Sequence, residues 1–327
     1  MAGARTNIAL LWASLLALIT GVTAFLVGTP PGRWIVVAHG VVSLAIVVLA
    51  PWKSVIVRRG WRKERRGRWA STWLTVATLG ALGSGVLLVS GVRSLGFLTT
   101  MQVHVGTGLL TVALTLVHTL HRPVPHRVVD VSRRSVLRAG GMLAAAGGLW
   151  LAIEALLQLS GSSGAGRRFT GSHEISDPSA IPFTQWINDS VQHLDEITHR
   201  VKVVDSELSA DLLRAGTDSV EATLDCTGGW YTTQIWSGTR LDRLLDSVAG
   251  TSIVIRSATG YWRRFPVEHA DRLYLVTDVA GERLRDGNGG PVRLVAPGRR
   301  GYWWVKWVES VEIDDLPAWW QPPLPTA

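Results

Sequence analysis

Five long apolar runs fill the first half of the chain and constrain its fold more than any other feature. A helix needs about 20 apolar residues to cross a bilayer, and each run reaches roughly that length. Apart from Glu154 near the end of the fifth run, no acidic or basic residue lies at the centre of any run. The runs are Asn7–Gly28, Trp34–Ile56, Trp69–Ser90, Leu95–Leu120 and Ala139–Leu159. We therefore predict an all-α transmembrane bundle of about five helices.

Basic side chains cluster beside these runs. The net charge is +8, with eight Lys or Arg residues between Lys53 and Arg68 and five between Arg122 and Arg138. Because both clusters flank apolar runs, they indicate membrane topology and argue against nucleic acid as a partner. Lys and Arg stay on the cytoplasmic side, so we predict a multi-pass plasma-membrane protein with a cytoplasmic N-terminus and an extracytoplasmic domain after the fifth helix.

The chain after residue 166 has the composition of a soluble domain. Short β-patterned runs alternate with turn residues, and a few helical stretches intervene, which is typical of an α+β fold. The single cysteine, Cys226, excludes an intrachain disulfide. We predict three parts: a four-helix membrane domain over 1–128, a junction with an anchor helix and linker over 129–166, and a soluble domain over 167–327.

Histidines inside the apolar runs need an explanation, because a polar ring in hydrocarbon is costly and usually functional. His39 and His104 each lie near the start of a helix that begins on the outer side. Two imidazoles at matching depth on facing helices can clamp the iron of one haem b, which would exchange electrons with the quinone pool. The alternative is that the two rings only form hydrogen bonds between helices.

A third histidine, His118, follows His104 by fourteen residues, close to four helical turns, so the two rings share a helix face. This spacing is similar to that of membrane cytochrome b subunits, which stack two haems across the bilayer. Helices 1 and 3 contain no histidine, and helix 2 has none at its inner end. His118 is therefore a candidate haem ligand without an evident partner, and we expect one haem.

The junction before the fifth run contains a twin-arginine pattern. Ser132, Arg133, Arg134, Ser135, Val136, Leu137 and Arg138 precede a Gly/Ala-rich apolar run, which resembles a twin-arginine export signal. That route moves folded domains, so the soluble domain is expected to receive its cofactor in the cytoplasm. Two arginines before a membrane helix are also ordinary topology signals, which is the alternative explanation.

Several motifs of the soluble half occur in a characteristic order. They are LDCTGGW at 224–230, SATGYWRRFPVEHA at 257–270, GNGGPVRLVAPG at 287–298 and GYWWVKWVESVEI at 301–313. This order resembles the catalytic domain of the sulfite oxidase family of molybdopterin enzymes. The resemblance implies an α+β molybdopterin-binding domain whose molybdenum is bound by one cysteine thiolate, here Cys226. A soft anionic donor also suits molybdenum on chemical grounds.

The resemblance also implies other site residues. Arg293 and Lys306 match positions that contact the pterin and its phosphate, and cationic donors suit such a group. Asn288 stands where many members of the family have histidine, so that cofactor contact would be an amide hydrogen bond or absent. For the catalytic and substrate pocket we predict Tyr261 and Arg263, with Trp230, Tyr231 and Arg264 as further candidates.

These observations together indicate a membrane-anchored molybdenum oxidoreductase that acts on a small-molecule substrate. The resemblance extends to bacterial methionine-sulfoxide-type reductases, so an S-oxide reductase is expected, with sulfite oxidation as the main alternative. Two hypotheses of other classes stay open: a cofactor-free sensory or binding module on a membrane anchor, and a haem-based ferric or quinone reductase with a vestigial outer domain.

Overall fold

The computed structural model describes residues 2–61, 68–121, 133–184, 190–245 and 249–325. The chain divides into two compact units. The first comprises Met1–Phe25 and Pro30–His173, and the second comprises Leu26–Thr29 and Glu174–Ala327. This division near residue 173 lies slightly after the boundary predicted at 166. The predicted boundary at 128 lies outside the described residues.

The first unit is helical. Its helices are α1 (Ala2–Leu26), α2 (Arg33–Trp61), α3 (Arg68–Val89), α4 (Thr100–His121) and α5 (Arg133–Leu159). All five are long and apolar enough to cross a membrane. A helical unit followed by a unit of mixed α and β structure agrees with the fold predicted from the sequence.

Two predicted helix starts are wrong. The fourth helix begins at Thr100 because residues 94–99 form a two-stranded hairpin, β1 (Ser94–Leu95) and β2 (Leu98–Thr99), around Gly96 with φ of 66°. Glycine adopts this left-handed conformation without the steric cost of a side chain, so it turns the chain there. The fifth helix begins at Arg133 and not at Ala139, because the intervening residues are adequate helix formers. Arg133 and Arg134 therefore lie in its first turn, and Ser132 lies outside the described residues.

The helix pair α1–α2 is repeated as α3–α4. Buried Thr6 and Ala13 of α1 correspond to buried Ala70 and Ala77 of α3, 64 positions later. Buried Leu49 of α2 corresponds to buried Leu114 of α4, 65 positions later. The polar contacts between paired helices repeat with the same two offsets, as described below for the histidines. Helices α1 to α4 thus consist of two copies of one helix pair.

The described residues of the second unit form one short α-helix, α6 (Ala210–Ala215), and two sheets. The first sheet has the order β11-β10-β7-β3, with β6 paired to β7 and β12 paired to β10; the second has the order β5-β4-β13-β8-β9. The strands are β3 (His173–Glu174), β4 (Arg200–Val203), β5 (Ser206–Ser209), β6 (Asp218–Cys226), β7 (Trp230–Arg240), β8 (Ser252–Ser257), β9 (Trp262–Pro266), β10 (Tyr274–Val279), β11 (Glu282–Arg283), β12 (Arg293–Val295) and β13 (Val308–Asp314).

The apolar core of this unit unites both sheets. Ile253 and Ile255 of β8, Leu275 of β10 and Trp236 of β7 are fully buried within it. Alternation of buried and exposed residues along β4 and β6 matches strands with one face on the core. This packing fixes the end of β6, where Cys226 lies, because the strand cannot slip without exposing its apolar face.

Candidate active site

Cys226 is the last residue of β6, immediately before a tight hairpin. It pairs in register with Trp230, the first residue of β7, so a loop of three residues, Thr227 to Gly229, makes the turn. Gly229 has φ of 89°, a left-handed conformation in which glycine carries no steric cost. The hairpin thus presents the thiol at the edge of the sheet, beside a loop with an accessible backbone.

An open cleft surrounds the thiol. Its empty space, including the open solvent at its mouth, amounts to about 800 Å³. The lining residues come from loops and strand ends that are far apart in sequence. They are Pro182, Thr184, Leu224, Cys226, Thr227, Trp230, Ser257, Tyr261, Asn288, Arg293, Gly301, Tyr302, Trp304, Lys306, Trp307 and Pro325.

The Cys226 sulfur is buried but has polar neighbours. The backbone N–H of Gly228 donates to Sγ over 3.3 Å, and the side chain of Thr184 also bonds the thiol. Burial raises the pKa of the Cys226 thiol, whereas the hydrogen bonds and the positive charges of Arg300 and Lys306 act in the opposite direction. A metal ion bound at the sulfur would remove the proton regardless of this balance.

The two predicted cofactor cations lie in the same cleft. Arg293 is fully buried, and its guanidinium carbon lies 5.3 Å and 5.7 Å from the centroids of the Trp236 and Trp304 rings, which contact each other edge-on. It donates to the carbonyl oxygen of Asn288 over 2.7 Å. Burial lowers the pKa of Arg293 to about 10, so the group stays charged at neutral pH. Lys306 donates to the backbone oxygens of Thr184 and Gly287, both over 2.7 Å.

The amide of Asn288 also lines the cleft. It is buried, and its Oδ1 accepts from Nε of Arg285 over 3.0 Å. The structure therefore brings Cys226, Asn288, Arg293 and Lys306 together, as the sequence predicts.

The donor set of the cleft fits a molybdopterin. Arg293 lines the cleft, and its buried Nε is one of the described side-chain atoms without a hydrogen-bond partner; an unpaired buried donor is costly. A buried guanidinium and an ammonium next to neutral carbonyls suit an anionic group such as a phosphate. Within the described ranges no group of three His, Cys, Asp or Glu side chains could hold a metal ion. One thiolate plus a cofactor that brings its own ligands is consistent with that finding.

The two predicted catalytic residues are engaged within the protein. The hydroxyl of Tyr261 lines the cleft, donates to the carbonyl oxygen of Tyr302 over 2.5 Å and accepts from Nε of Arg263 over 2.6 Å. Arg263 is buried and donates its two terminal nitrogens to the carbonyl oxygens of Pro322 and Leu324. Arg263 itself is not among the lining residues of the cleft, so its catalytic role stays a prediction that these contacts do not favour.

Of the three further pocket candidates, one lines the cleft and two do not. Trp230 lines the cleft and donates from Nε1 to the hydroxyl of Thr184 over 3.2 Å. Tyr231 and Arg264 are not among its lining residues. Arg264 is buried and forms an ion pair with Asp314 over 2.6 Å, so it joins the strand β9 to the end of β13.

Sequence reasoning missed two features of the site. Thr184 precedes the first recognised motif, which begins at residue 224, yet its hydroxyl and carbonyl contact Trp230 and Lys306. Asp225 and Arg300 form a buried ion pair directly beside Cys226. The aspartate lies inside the LDCTGGW motif, which is the one signal that could have indicated it.

The predicted haem ligands also meet. The rings of His39 and His104 lie 5.9 Å apart between centroids, at an interplanar angle of 89°. Nδ1 of His39 donates to the carbonyl oxygen of Ala17 over 3.0 Å, and Nδ1 of His104 donates to that of Ala81 over 2.9 Å. Because a carbonyl can only accept, each bond fixes the proton on Nδ1 and leaves the lone pair on Nε2 for a metal.

The surroundings of the two rings repeat with the helix pairs. Nδ1 lies 3.3 Å from the hydroxyl of Thr20 in one copy and 3.4 Å from that of Ser84 in the other. A Cβ on Gly21 would approach the His39 ring to 3.1 Å, and a Cβ on Gly85 would approach the His104 ring to 3.2 Å. Each ring is thus held against a glycine of the preceding helix.

His118 lies at the other end of α4, where the repeat continues with different residues. Its Nδ1 lies 3.1 Å from the hydroxyl of Ser71. At the equivalent place of the first copy, Lys53 donates to Oδ1 of Asn7 over 2.8 Å. Position 53 therefore carries an amine where symmetry with His118 would require an imidazole, which accounts for the missing partner of His118.

Comparison with known proteins identifies the soluble part. Residues 188–319 match the sequence model of a family described as the oxidoreductase molybdopterin binding domain. The crystal structure of the sulfane dehydrogenase SoxCD from Paracoccus pantotrophus aligns at 27% identity over 38% of this chain and 40% of that chain, with a TM-score of 0.35. This overlap covers less than half of either chain and carries no structural argument. No curated protein matches. Residues 188–319 thus match an oxidoreductase molybdopterin-binding domain, and the chain spans less than half the length of the SoxCD chain with which it aligns.

Proposed function

We propose that the chain is a membrane-anchored molybdenum enzyme whose soluble domain works outside the cytoplasm. The observation that carries the proposal is the convergence of Cys226, Arg293 and Lys306 on one cleft, where the buried Nε of Arg293 has no hydrogen-bond partner among the described residues. When bound, the molybdenum cofactor supplies two-electron redox chemistry with transfer of an oxygen atom. Five apolar helices and the distribution of Lys and Arg support the membrane location and the orientation with the N-terminus inside.

The residues of the cleft have distinct tasks in this proposal. Cys226 would hold the metal through its thiolate, with the Gly228 N–H directed at the sulfur to limit its charge. Arg293 and Lys306 would hold the pterin and its phosphate, and the two tryptophan rings keep the Arg293 guanidinium in place. The side chain of Thr184 orients the thiol from the opposite loop.

Molybdenum analysis directly tests whether Cys226 holds the metal. We expect purified wild-type chain to contain close to one molybdenum per polypeptide and Cys226→Ser to contain less than a tenth of that amount. Arg256→Gln is a suitable control, because Arg256 pairs with half-exposed Glu312 away from the cleft. Equal molybdenum in wild type and Cys226→Ser would refute the thiolate ligand.

We further propose that His39 and His104 bind one haem b that exchanges electrons between molybdenum and the quinone pool. The two rings lie 5.9 Å apart between centroids, and the Nδ1 bonds to Ala17 and Ala81 leave Nε2 of each ring as a possible ligand. His39 and His104 would therefore hold the haem iron, and the haem would supply one-electron transfer. Loss of the reduced b-type absorption is expected in His39→Ala and His104→Ala, with the absorption retained in His118→Ala.

The best-supported reaction is reduction of a neutral S-oxide, in which the substrate takes up two electrons and two protons and releases water. Among the described lining residues of the cleft, Arg293 and Lys306 are the only Arg, Lys, Asp or Glu side chains. Both are assigned to the cofactor, so an anionic substrate such as sulfite would lose hydration without gaining a cation. Reduction of methyl phenyl sulfoxide by the dithionite-reduced holoenzyme tests this proposal. If the enzyme oxidised sulfite and did not reduce the sulfoxide, it would be a sulfite-oxidising enzyme instead.

The twin-arginine pattern belongs to the same proposal. Export of a folded domain would allow the cofactor to be inserted in the cytoplasm before Cys226 reaches the outer side. Replacing Arg133 and Arg134 by lysine preserves the charge that sets topology and changes the pattern read by the export machinery. We expect the soluble domain of this variant to be protected from protease added to spheroplasts, in contrast to wild type.

A further inference from the structure

The last described residues of the chain form one wall of the Cys226 cleft. We call Gln321–Pro325 the strap. Pro325 is buried and lines the cleft together with Cys226, Tyr261 and Tyr302. Leu324, its neighbour, is 40% exposed, so the strap crosses from the surface into the site at this point. A proline ring offers only apolar surface and no N–H donor.

Side chains of β9 hold the strap in place. Arg263 donates to the carbonyl oxygen of Pro322 over 2.9 Å and to that of Leu324 over 3.0 Å. The side chain of Gln321 pairs with the backbone of Arg264, accepting from its N–H over 3.0 Å and donating to its carbonyl oxygen over 2.8 Å. These four bonds fix the backbone on both sides of the strap, although it has no partner strand.

The geometry of Arg263 explains why an arginine is needed. Its Nε donates to the hydroxyl of Tyr261, while its two terminal nitrogens reach separate carbonyl groups of the strap. Its charged carbon also lies 4.9 Å from the ring of Tyr261 and 5.1 Å from that of Tyr302. Only the planar fork of a guanidinium can make these bonds at once, since an ammonium is a single point. Arg263 is thus a positioning residue, connecting two lining tyrosines to the strap.

We infer that the strap is the specificity-determining wall of the substrate site and that it selects S-oxides with a bulky apolar substituent. This inference rests on the proposed function of the cleft. The substituent would contact the ring of Pro325, with Leu224 and the ring of Tyr302 among the other lining groups. Apolar surface buried there would favour a phenyl over a methyl substituent by its larger contact area.

Selectivity of the holoenzyme is the first test. The ratio of kcat/KM for methyl phenyl sulfoxide to that for dimethyl sulfoxide should fall about fivefold in Pro325→Ala, through a higher KM for the aromatic substrate. Arg263→Gln should lower the ratio at least as much, because the strap loses both of its guanidinium bonds. Arg256→Gln should keep the wild-type ratio, since Arg256 bonds Glu312 and does not contact the strap. An unchanged ratio in Pro325→Ala would overturn the inference.

A second readout does not depend on turnover. In full-length chain prepared without cofactor, N-ethylmaleimide should alkylate Cys226 about tenfold faster in Arg263→Gln than in wild type or Arg256→Gln, because opening the wall exposes the thiol. If Arg263→Gln fails to fold, Pro325→Ala provides the same test, and we expect its alkylation rate to rise by a smaller factor. Equal alkylation rates would overturn the strap as a wall. Faster alkylation with no sulfoxide turnover in wild type would refute the proposed function and leave the wall supported.

Discussion

Asp225 and Arg300 form a buried ion pair, 2.5 Å from carboxylate oxygen to guanidinium nitrogen, directly beside the cysteine of the cleft. Their side chains are 4% and 3% exposed. The pair also joins the end of β6 to the loop before the GYWWVKW motif, since residues 225 and 300 form an isolated backbone bridge. The Asp225–Arg300 ion pair therefore fixes the position of the Cys226 thiol relative to Arg300.

Removal of one partner should destabilise the soluble domain strongly. Asp225→Ala leaves the Arg300 charge buried and unpaired, which typically costs about 3–5 kcal/mol. We expect Asp225→Ala and Arg300→Ala each to lower the thermal midpoint of the near-UV tryptophan signal of the domain. The double substitution Asp225→Leu/Arg300→Met should be less destabilising than either single change. Additive effects would show that the two charges do not interact.

The cofactor-free protein should show a pH dependence caused by Cys226. Burial raises the pKa of this thiol above its ordinary value of about 8.5. The folded chain then binds the thiol proton more tightly than the unfolded chain does. Its contribution to stability is complete below the unfolded pKa and is lost as pH rises through the folded pKa. Above about pH 9 the wild-type melting temperature should therefore fall more steeply than that of Cys226→Ser. Parallel curves would contradict a raised pKa.

Arg293→Lys should empty the cleft of pterin even though it preserves the charge. A lysine ammonium lacks the planar face that the guanidinium presents to the rings of Trp236 and Trp304, and it cannot bond several acceptors in one plane. We expect pterin, measured by fluorescence after denaturation and oxidation, to fall at least tenfold. Arg256→Lys is the matched control on an exposed position and should retain the wild-type amount. Normal pterin content in Arg293→Lys would remove Arg293 from the cofactor site.

Lys53→His should add a second haem. Position 53 corresponds to His118 through the repeat of the helix pairs, and both residues contact a polar side chain of the preceding helix. Leu49 and Leu114, one turn before them, are buried, so both side chains lie on buried helix faces. A new imidazole there would complete an inner pair like His39 and His104. Haem per chain should rise from about one to two in Lys53→His and stay at one in Lys53→Gln.

Sequence alone predicts the local features of this protein and misses those that depend on distant contacts. The apolar runs are continuous in sequence, so the five helices are evident, and the cofactor residues stand inside short motifs. The exceptions at Leu95 and Ala139 arise from a glycine turn and from helix-forming residues before the apolar run. The role of Arg263 depends on carbonyl groups about sixty residues later, which no local pattern reveals. The repeat of the helix pairs is hard to see in the sequence because its identical residues, such as His39 and His104, are scattered among apolar residues that differ between the two copies.

The repeat also bears on how such a bundle can change over time. A single helix pair supplies one imidazole. In a homodimer of such a pair, both copies would carry the same side chain at every equivalent position. Covalent fusion removes that restriction. One half can then keep an amine at Lys53 while the other keeps an imidazole at His118, and the pair of rings formed by His39 and His104 is unchanged. A single polypeptide can therefore differ between its two halves at Lys53 and His118 while it keeps identical residues at His39 and His104. A homodimer could not do this.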